Sequence, residues 1–282
     1  MKTYRCLAQS LERFVNELPM MSNAQADSVC SNKNYWVLGA SSGIGLQLAT
    51  DLARLENHVI VSGRNATALE HLKKQYPNHV TVLVFDLQSE DDFLIVKKTL
   101  PELIDSLDGV IYCAGICEYV DDLHNNRALY RRVFAVNFFA AVDILELSIP
   151  LLKKSDTRGC FMGIGSLAAQ APFTRAQAYG ASKAAFEYFM ACQRIDLEPI
   201  GIDVCTVLPG FVKTPLTDKN DFKMPFLMSV DEASQIIIDG LAKRKKRIIF
   251  PKKLYWLLQI YRWWPQLWFG SVAKKMRREN DV

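Results

Sequence analysis

The 282-residue sequence lacks three things, and each absence closes off a class of protein. It has no Cys-x-x-Cys pair: its seven cysteines are scattered and odd in number. None of its four histidines (His58, His71, His79, His124) stands at a zinc-site spacing from Cys113 and Cys117. A disulfide framework and a structural metal are therefore not expected, and the cysteines read as free thiols of a reducing compartment, the cytoplasm. The first 34 residues lack an apolar run long enough for a signal peptide, because Arg5, Glu12, Arg13 and Glu17 interrupt every candidate. The third absence is local: no acid occurs between His58 and Leu69.

What is present begins with charge. The net charge is only +4, but residues 243–282 hold twelve Lys/Arg against two acids, while residues 1–242 hold 22 against 28. A mildly acidic body carries a basic tail. Half of the chain is hydrophobic, so a sizeable core is expected. Residues 1–34 read as an extension, with Leu7, Leu11, Phe14, Val15 and Leu18 at helical spacing and Met20 or Met21 as alternative starts.

From Tyr35 onward, short apolar runs alternate with helical patterns. Strands are predicted at 35–38, 58–62, 80–85, 109–113, 159–165 and 203–208, separated by helices that include 124–154 and 177–197. This alternation implies an α/β fold: a doubly wound parallel sheet in one domain, residues 35–250, followed by the tail, 251–282. Ligands of such sheets bind beyond the carboxyl ends of the strands. Gly39-Ala40-Ser41-Ser42-Gly43-Ile44-Gly45 lies there, between the first strand and the first helix. Bare backbone N–H groups and a helix N-terminus suit a phosphate, and glycines let it approach.

The helix opening at Gln177 carries Tyr179 and Lys183 four residues apart, hence on one face, with Ser166 thirteen residues ahead of the tyrosine. A phenol ionises near pH ~10, and bringing it to ~7 requires roughly 4 kcal/mol of differential stabilisation. A neighbouring ammonium acts in that direction. Alone, Tyr-x-x-x-Lys is a pattern that recurs by chance. Here Gly39-x-x-x-Gly43-Ile44-Gly45, Asp86, Ala114-Gly115, Asn137, Ser166, Tyr179-x-x-x-Lys183 and Pro209-Gly210-Phe211-Val212-Lys213-Thr214 follow in order.

In that register the chain resembles the short-chain dehydrogenase/reductases over about residues 35–250. The resemblance implies a Rossmann-type sheet of about seven strands, the last at Arg247–Phe250. It implies that Tyr179 is the general acid or base, that Lys183 lowers its pKa and holds the nicotinamide ribose, that Ser166 binds the substrate oxygen, and that Asn137 supports a proton relay through water. It also implies cofactor contacts from Gly39, Ser41, Ser42, Gly43, Ile44, Gly45, Arg64, Asp86, Leu87, Ala114, Gly115, Asn137, Tyr179, Lys183, Pro209, Val212 and Thr214. Two positions depart from the family's pattern: Leu38 replaces the usual Thr, and Tyr112-Cys113 replaces Asn-Asn before Ala114.

The missing acid after His58 now has a meaning. An acid there would bind a ribose 2′-hydroxyl; Arg64, with Ser41, Ser42 and Asn65, suits a 2′-phosphate, so NADP(H) is expected over NAD(H). Residues 210–230, rich in Phe, Met and Pro, point to a small-molecule substrate that is itself bulky and apolar, a lipid-like, steroid-like or acyl carbonyl or alcohol rather than a sugar. The tail holds four of the five tryptophans, Trp256, Trp263, Trp264 and Trp268, among cations over 252–278. It is too short and too polar to span a bilayer, and reads as a peripheral membrane contact, a cap over the pocket or a subunit contact. A homo-oligomer is expected, and no nucleic-acid partner. The competing functions are an epimerase or dehydratase on the same scaffold and a non-catalytic dinucleotide-binding sensor or membrane-associated scaffold.

Overall fold

The computed structural model describes residues 31–121 and 126–273. The expected N-terminal helix and the last part of the basic tail lie outside the described residues. In chain order the main elements are β1 (Asn34–Leu38), α1 (Gly43–Arg54), β2 (His58–Gly63), α2 (Ala66–Gln75), β3 (Val80–Val84), α3 (Glu90–Leu103) and β4 (Gly109–Tyr112). There follow α4 (Arg127–Phe134), a π-turn (Ala135–Phe139), α5 (Ala140–Leu152), β5 (Gly159–Ile164) and α6 (Gln177–Leu197). The chain continues with β6 (Ile202–Pro209), α7 (Val230–Ala242), β7 (Arg247–Phe250) and α8 (Lys252–Trp263). The seven strands form one sheet in the order β3-β2-β1-β4-β5-β6-β7, every neighbouring pair parallel.

A parallel sheet is covered on both faces, which is why its strands read as nearly continuous apolar runs. In β1, Trp36 and Leu38 enter one layer with Tyr112, Phe161 and Phe186, while Tyr35 and Val37 enter the other with Ile111 and Met162. Each fully buried aliphatic side chain contributes about 1.5–3 kcal/mol. Helix α6 lies hard against β5: a Cβ on Gly163 would stand 2.4 Å from Phe186 and 2.8 Å from Met190. That close approach fixes the helix that carries Tyr179 and Lys183.

The single helix expected over 124–154 is instead interrupted by the π-turn at Ala135–Phe139, and residues 122–125 lie outside the described ones. The wider turn leaves the Val136 carbonyl to a side chain, and the buried Tyr112 hydroxyl donates to it at 2.5 Å. The run Arg127–Leu152 is long and apolar enough to cross a membrane by length and composition. Here α5 lays its apolar residues Ala141, Ile144, Leu145, Leu151 and Leu152 on the sheet, in the layer of Trp36 and Phe161. It is a core helix of the fold.

After β7 the chain turns into α8, whose Leu254 and Leu258, with Trp268 beyond, form a third apolar cluster with Leu167, Ala171 and Leu208. The tail thus covers the turn that follows Ser166.

Candidate active site

The carboxyl ends of the strands surround a cleft of about 280 Å³. Its floor is the glycine turn. Gly39 has φ +80°, and a Cβ there would stand 2.7 Å from the Ala114 nitrogen. A Cβ on Gly45 would stand 2.3 Å from the Gly39 oxygen. Both positions therefore exclude any larger residue. The Ser62 carbonyl accepts from the Gly39 and Ala40 N–H groups at 2.8 and 3.0 Å, which pins the turn to β2. Helix α1 starts at Gly43 with no acid in its first turn and no side-chain cap from Ser42. Its N-terminal N–H groups and positive dipole end are free of side-chain competition for an anion.

Of the expected cofactor residues, Gly39, Ser41, Ser42, Gly43, Ile44, Arg64, Asp86, Leu87, Ala114, Gly115, Tyr179, Lys183, Pro209, Val212 and Thr214 all line this one cleft, together with Ser166. Gly45 and Asn137 stand just behind it, against Gly39 and Gly115 respectively. Arg64 is exposed at the end of β2 and makes no ion pair among the described residues. Asn65 instead caps α2, its Oδ1 accepting from the Ala68 N–H at 3.1 Å.

At the other end of the cleft the side chains lock together. Ser166 Oγ accepts from the Ala168 N–H at 3.0 Å, and its hydroxyl stands near enough to Tyr179 to act on the phenol's ionisation. Lys183 is buried, its Nζ donating to the Ile164 carbonyl at 2.9 Å and standing 5.9 Å from the Tyr179 ring centroid. Asn137 is fully buried: Oδ1 accepts from the Ile116 N–H at 2.8 Å, and Nδ2 donates to the Ile116 carbonyl and to Ser182 Oγ, both at 2.9 Å. Ser182 in turn donates to the Tyr179 carbonyl at 2.8 Å. Both Asn137 N–H bonds are thus spent on protein. The side chain braces the loop after β4 against α6.

Burial governs the electrostatics of this end. Burial pushes the Tyr179 phenol up to about 12, opposed by the Ser166 hydroxyl. Burial pushes Lys183 down to about 8. Burial is the largest influence on both groups in the protein alone. Cys113 is likewise raised to about 12 by burial, and remains a neutral thiol beside the glycine turn.

Three residues escaped the sequence reading. The Thr217 hydroxyl accepts from the Thr214 N–H at 2.9 Å and donates to the Val212 carbonyl at 2.7 Å, holding that loop to the cleft. Arg175 stands 4.6 Å over the Tyr119 ring and pairs with Asp121 and Asp221 at 2.5 and 3.1 Å; the Tyr119 hydroxyl reaches Asn220. The Arg175 and Tyr119 contacts tie three loops together. Their partners lie 46 to 101 residues apart in sequence, so no local spacing announces them.

Residues 33–224 match the family described as short chain dehydrogenase. The chain belongs to the short-chain dehydrogenase/reductases. It is thus an oxidoreductase of CH–OH groups and the corresponding carbonyls. An uncharacterized oxidoreductase of Myxococcus xanthus is 31% identical over 88% of this chain and 98% of its own length. Estradiol 17-beta-dehydrogenase 2 of Rattus norvegicus is 31% identical over 75% of this chain, which spans only 54% of that protein. A solved short-chain dehydrogenase from Sphingobium yanoikuyae in complex with NADPH shares the fold at TM-score 0.71 and 24% identity, over 89% of this chain and 98% of that one. In this dehydrogenase the two departures from the family's pattern are filled by packing: Leu38 is fully buried, and Tyr112 is held by Val136.

Proposed function

We propose that this dehydrogenase is an NADP(H)-dependent reductase of an apolar ketone or aldehyde, with Tyr179 as general acid. The observation that carries the reading is that Ser166, Tyr179 and Lys183 line one wall of the cleft, Lys183 Nζ 5.9 Å from the Tyr179 ring, with burial keeping the phenol protonated. A group at about 12 is in its donor form across the neutral range. A protonated phenol suits proton donation to a carbonyl oxygen, the step that reduction needs.

The glycine turn and the open N-terminus of α1 fit a pyrophosphate, and the cleft runs from there to Tyr179. When bound, the nicotinamide supplies the hydride. Ser166 and Tyr179 hydrogen-bond the carbonyl oxygen, polarising it, and Tyr179 delivers the proton as the oxygen becomes an alkoxide. Lys183 keeps a positive charge behind the phenol, and Gly115 leaves room for it: a Cβ there would stand 3.3 Å from Nζ. Asn137 and Ser182 hold the helix turn that carries Tyr179.

Arg64 supports the choice of cofactor, since an unpaired guanidinium at the end of β2 suits a 2′-phosphate. The Sphingobium dehydrogenase, solved in complex with NADPH, supports the same choice. Phe211, Phe222, Phe226 and Leu227 on the substrate side favour an apolar substrate, and the rat relative is named for a steroid. We place the enzyme in the cytoplasm as a homo-oligomer. Exposed Phe139 on the π-turn and exposed Tyr188 and Ile195 on α6 favour a subunit contact there. The test is Arg64→Ala with cofactor titrations. NADPH affinity should fall about 10–100-fold while NADH affinity stays within about twofold, the loss expected for a charged hydrogen bond. Equal losses for both cofactors would remove Arg64 from the 2′-phosphate site.

A further inference from the structure

Helix α8 is apolar on both sides, and only one side has a partner. Leu254 and Leu258 face the body. The opposite face presents Lys252, Lys253, Trp256, Leu257 and Trp263, and Trp264, Leu267 and Phe269 continue that surface past the helix. Trp256, Trp263 and Trp264 are 54%, 57% and 58% exposed. Their rings form a row, with centroids 6.2 Å apart between Trp256 and Trp263 and 6.0 Å between Trp263 and Trp264. A helix apolar all round belongs in a core. Here half of it faces outward, uncovered by any described residue. At ~150–250 Å² per aromatic side chain, the exposed rings alone offer on the order of 400 Å², a size that on a monomer marks an interaction surface.

The rim indicates what covers it. Residues 251–273 contain no acid, and Lys252, Lys253 and Arg262 are exposed without an ion pair among the described residues. Elsewhere Arg132, Arg158, Arg175, Arg244 and Arg247 each hold a carboxylate. The sequence then continues with Lys274, Lys275, Arg277 and Arg278. A second copy would set these cations against their own kind. Tryptophans at the level of unpaired lysines and arginines suit instead the boundary of a negatively charged lipid surface.

We propose that the outward face of α8, with the segment Trp264–Phe269, docks on an anionic bilayer. The surface sits at the carboxyl end of the sheet. Its floor is the turn after Ser166 and Gly210, where a Cβ would meet Pro251 at 2.8 Å and Leu254 at 2.9 Å. Exposed Phe222, whose ring lies 5.8 Å from Phe211, joins the same end through the α8 cluster. Docking therefore brings the substrate side of the cleft to the lipid, and it holds whichever carbonyl the enzyme reduces.

The experiment is co-sedimentation of the full chain with phosphatidylcholine vesicles, with and without phosphatidylglycerol. The protein should pellet with the anionic vesicles and remain in solution with the neutral ones. Trp256→Ser, Trp263→Ser and Trp264→Ser combined should weaken binding at least ~10-fold, and Lys252→Glu with Lys253→Glu about tenfold. Thermal unfolding of each variant near the wild-type temperature checks that the fold is intact. Wild-type protein left in the supernatant with anionic vesicles, or a triple variant that pellets as well as wild type, overturns the proposal. So does a dimer in sedimentation velocity that the triple variant dissolves while vesicles bind neither protein, which would assign the patch to a second copy.

Discussion

Both ends of the sheet carry a concavity edged by cations, and they differ in what the cations face. At the amino end a groove of about 70 Å³ is lined by Lys33, Arg158, Arg244 and Lys246 among others. Each meets an acid: Arg158 and Arg244 share Asp203 at 3.1 and 2.7 Å, Lys246 reaches Glu198 at 3.4 Å, and Lys33 reaches Asp108 at 3.6 Å. At the carboxyl end, in the larger cleft, Arg64 and Lys183 have no carboxylate partner among the described residues, and the helix N-terminus beside them has no acid in its first turn. Compensated charge at one end holds the fold together; uncompensated charge at the other awaits a ligand. The cleft also contains the Tyr179 phenol, and its displacement by burial keeps a proton available.

This contrast breaks most sharply at Tyr179. Tyr179→Phe removes the proton donor and leaves the packing, so carbonyl reduction should fall about 10²–10⁴-fold in steady-state assays. Cofactor affinity, read by titration, should stay within about threefold. A variant that keeps a tenth of its activity would move the acid elsewhere.

A smaller effect should appear in the pH profile of kcat/KM, which reports the groups of the free enzyme. Lys183, lowered to about 8, carries its charge below that pH and sheds it above. Tyr179, near 12, stays protonated throughout. Reduction should therefore be level below about pH 7 and decline above about 8, by up to tenfold per unit. Lys183→Met should lower the rate and flatten that decline. A profile that rises between pH 8 and 10 would contradict the assignment.

The smallest effect belongs to the amino end. Asp203→Ala breaks two partly exposed ion pairs, each worth about 0.2–1 kcal/mol, and should lower the unfolding temperature by about 2–4 °C in calorimetry. Turnover should not change. A loss of activity there would mean that the two ends of the sheet are coupled.

Much of this is legible in the amino-acid pattern. The apolar runs mark the first six strands, because a two-sided parallel sheet leaves its strands few polar options, and the family resemblance places the seventh; α6 and β7 fall at the expected residues. The glycine turn is legible for a related reason: at Gly39 and Gly45 the backbone itself occupies the space of a side chain, so the residue type records the geometry. The order of Ser166, Tyr179 and Lys183 points to the family, and the cleft brings them together. Other features were decided only by the fold. The π-turn at Ala135–Phe139 has its Val136 carbonyl met by Tyr112 from across the core, a partner 24 residues away. The brace at Asn137 and the loop tie at Arg175 depend on partners that only packing makes neighbours. The sign of the Tyr179 shift depends on burial, which spacing along a helix does not contain. The two apolar sides of α8 look alike in sequence, and only the third cluster determines which is covered and which is left outside. Sequence by itself determined the fold, the family and the chemistry of the groups at the cleft, since these rest on local backbone constraints and side-chain type. Tertiary structure decided their protonation and their exposure, since both are set by what stands around a residue in space.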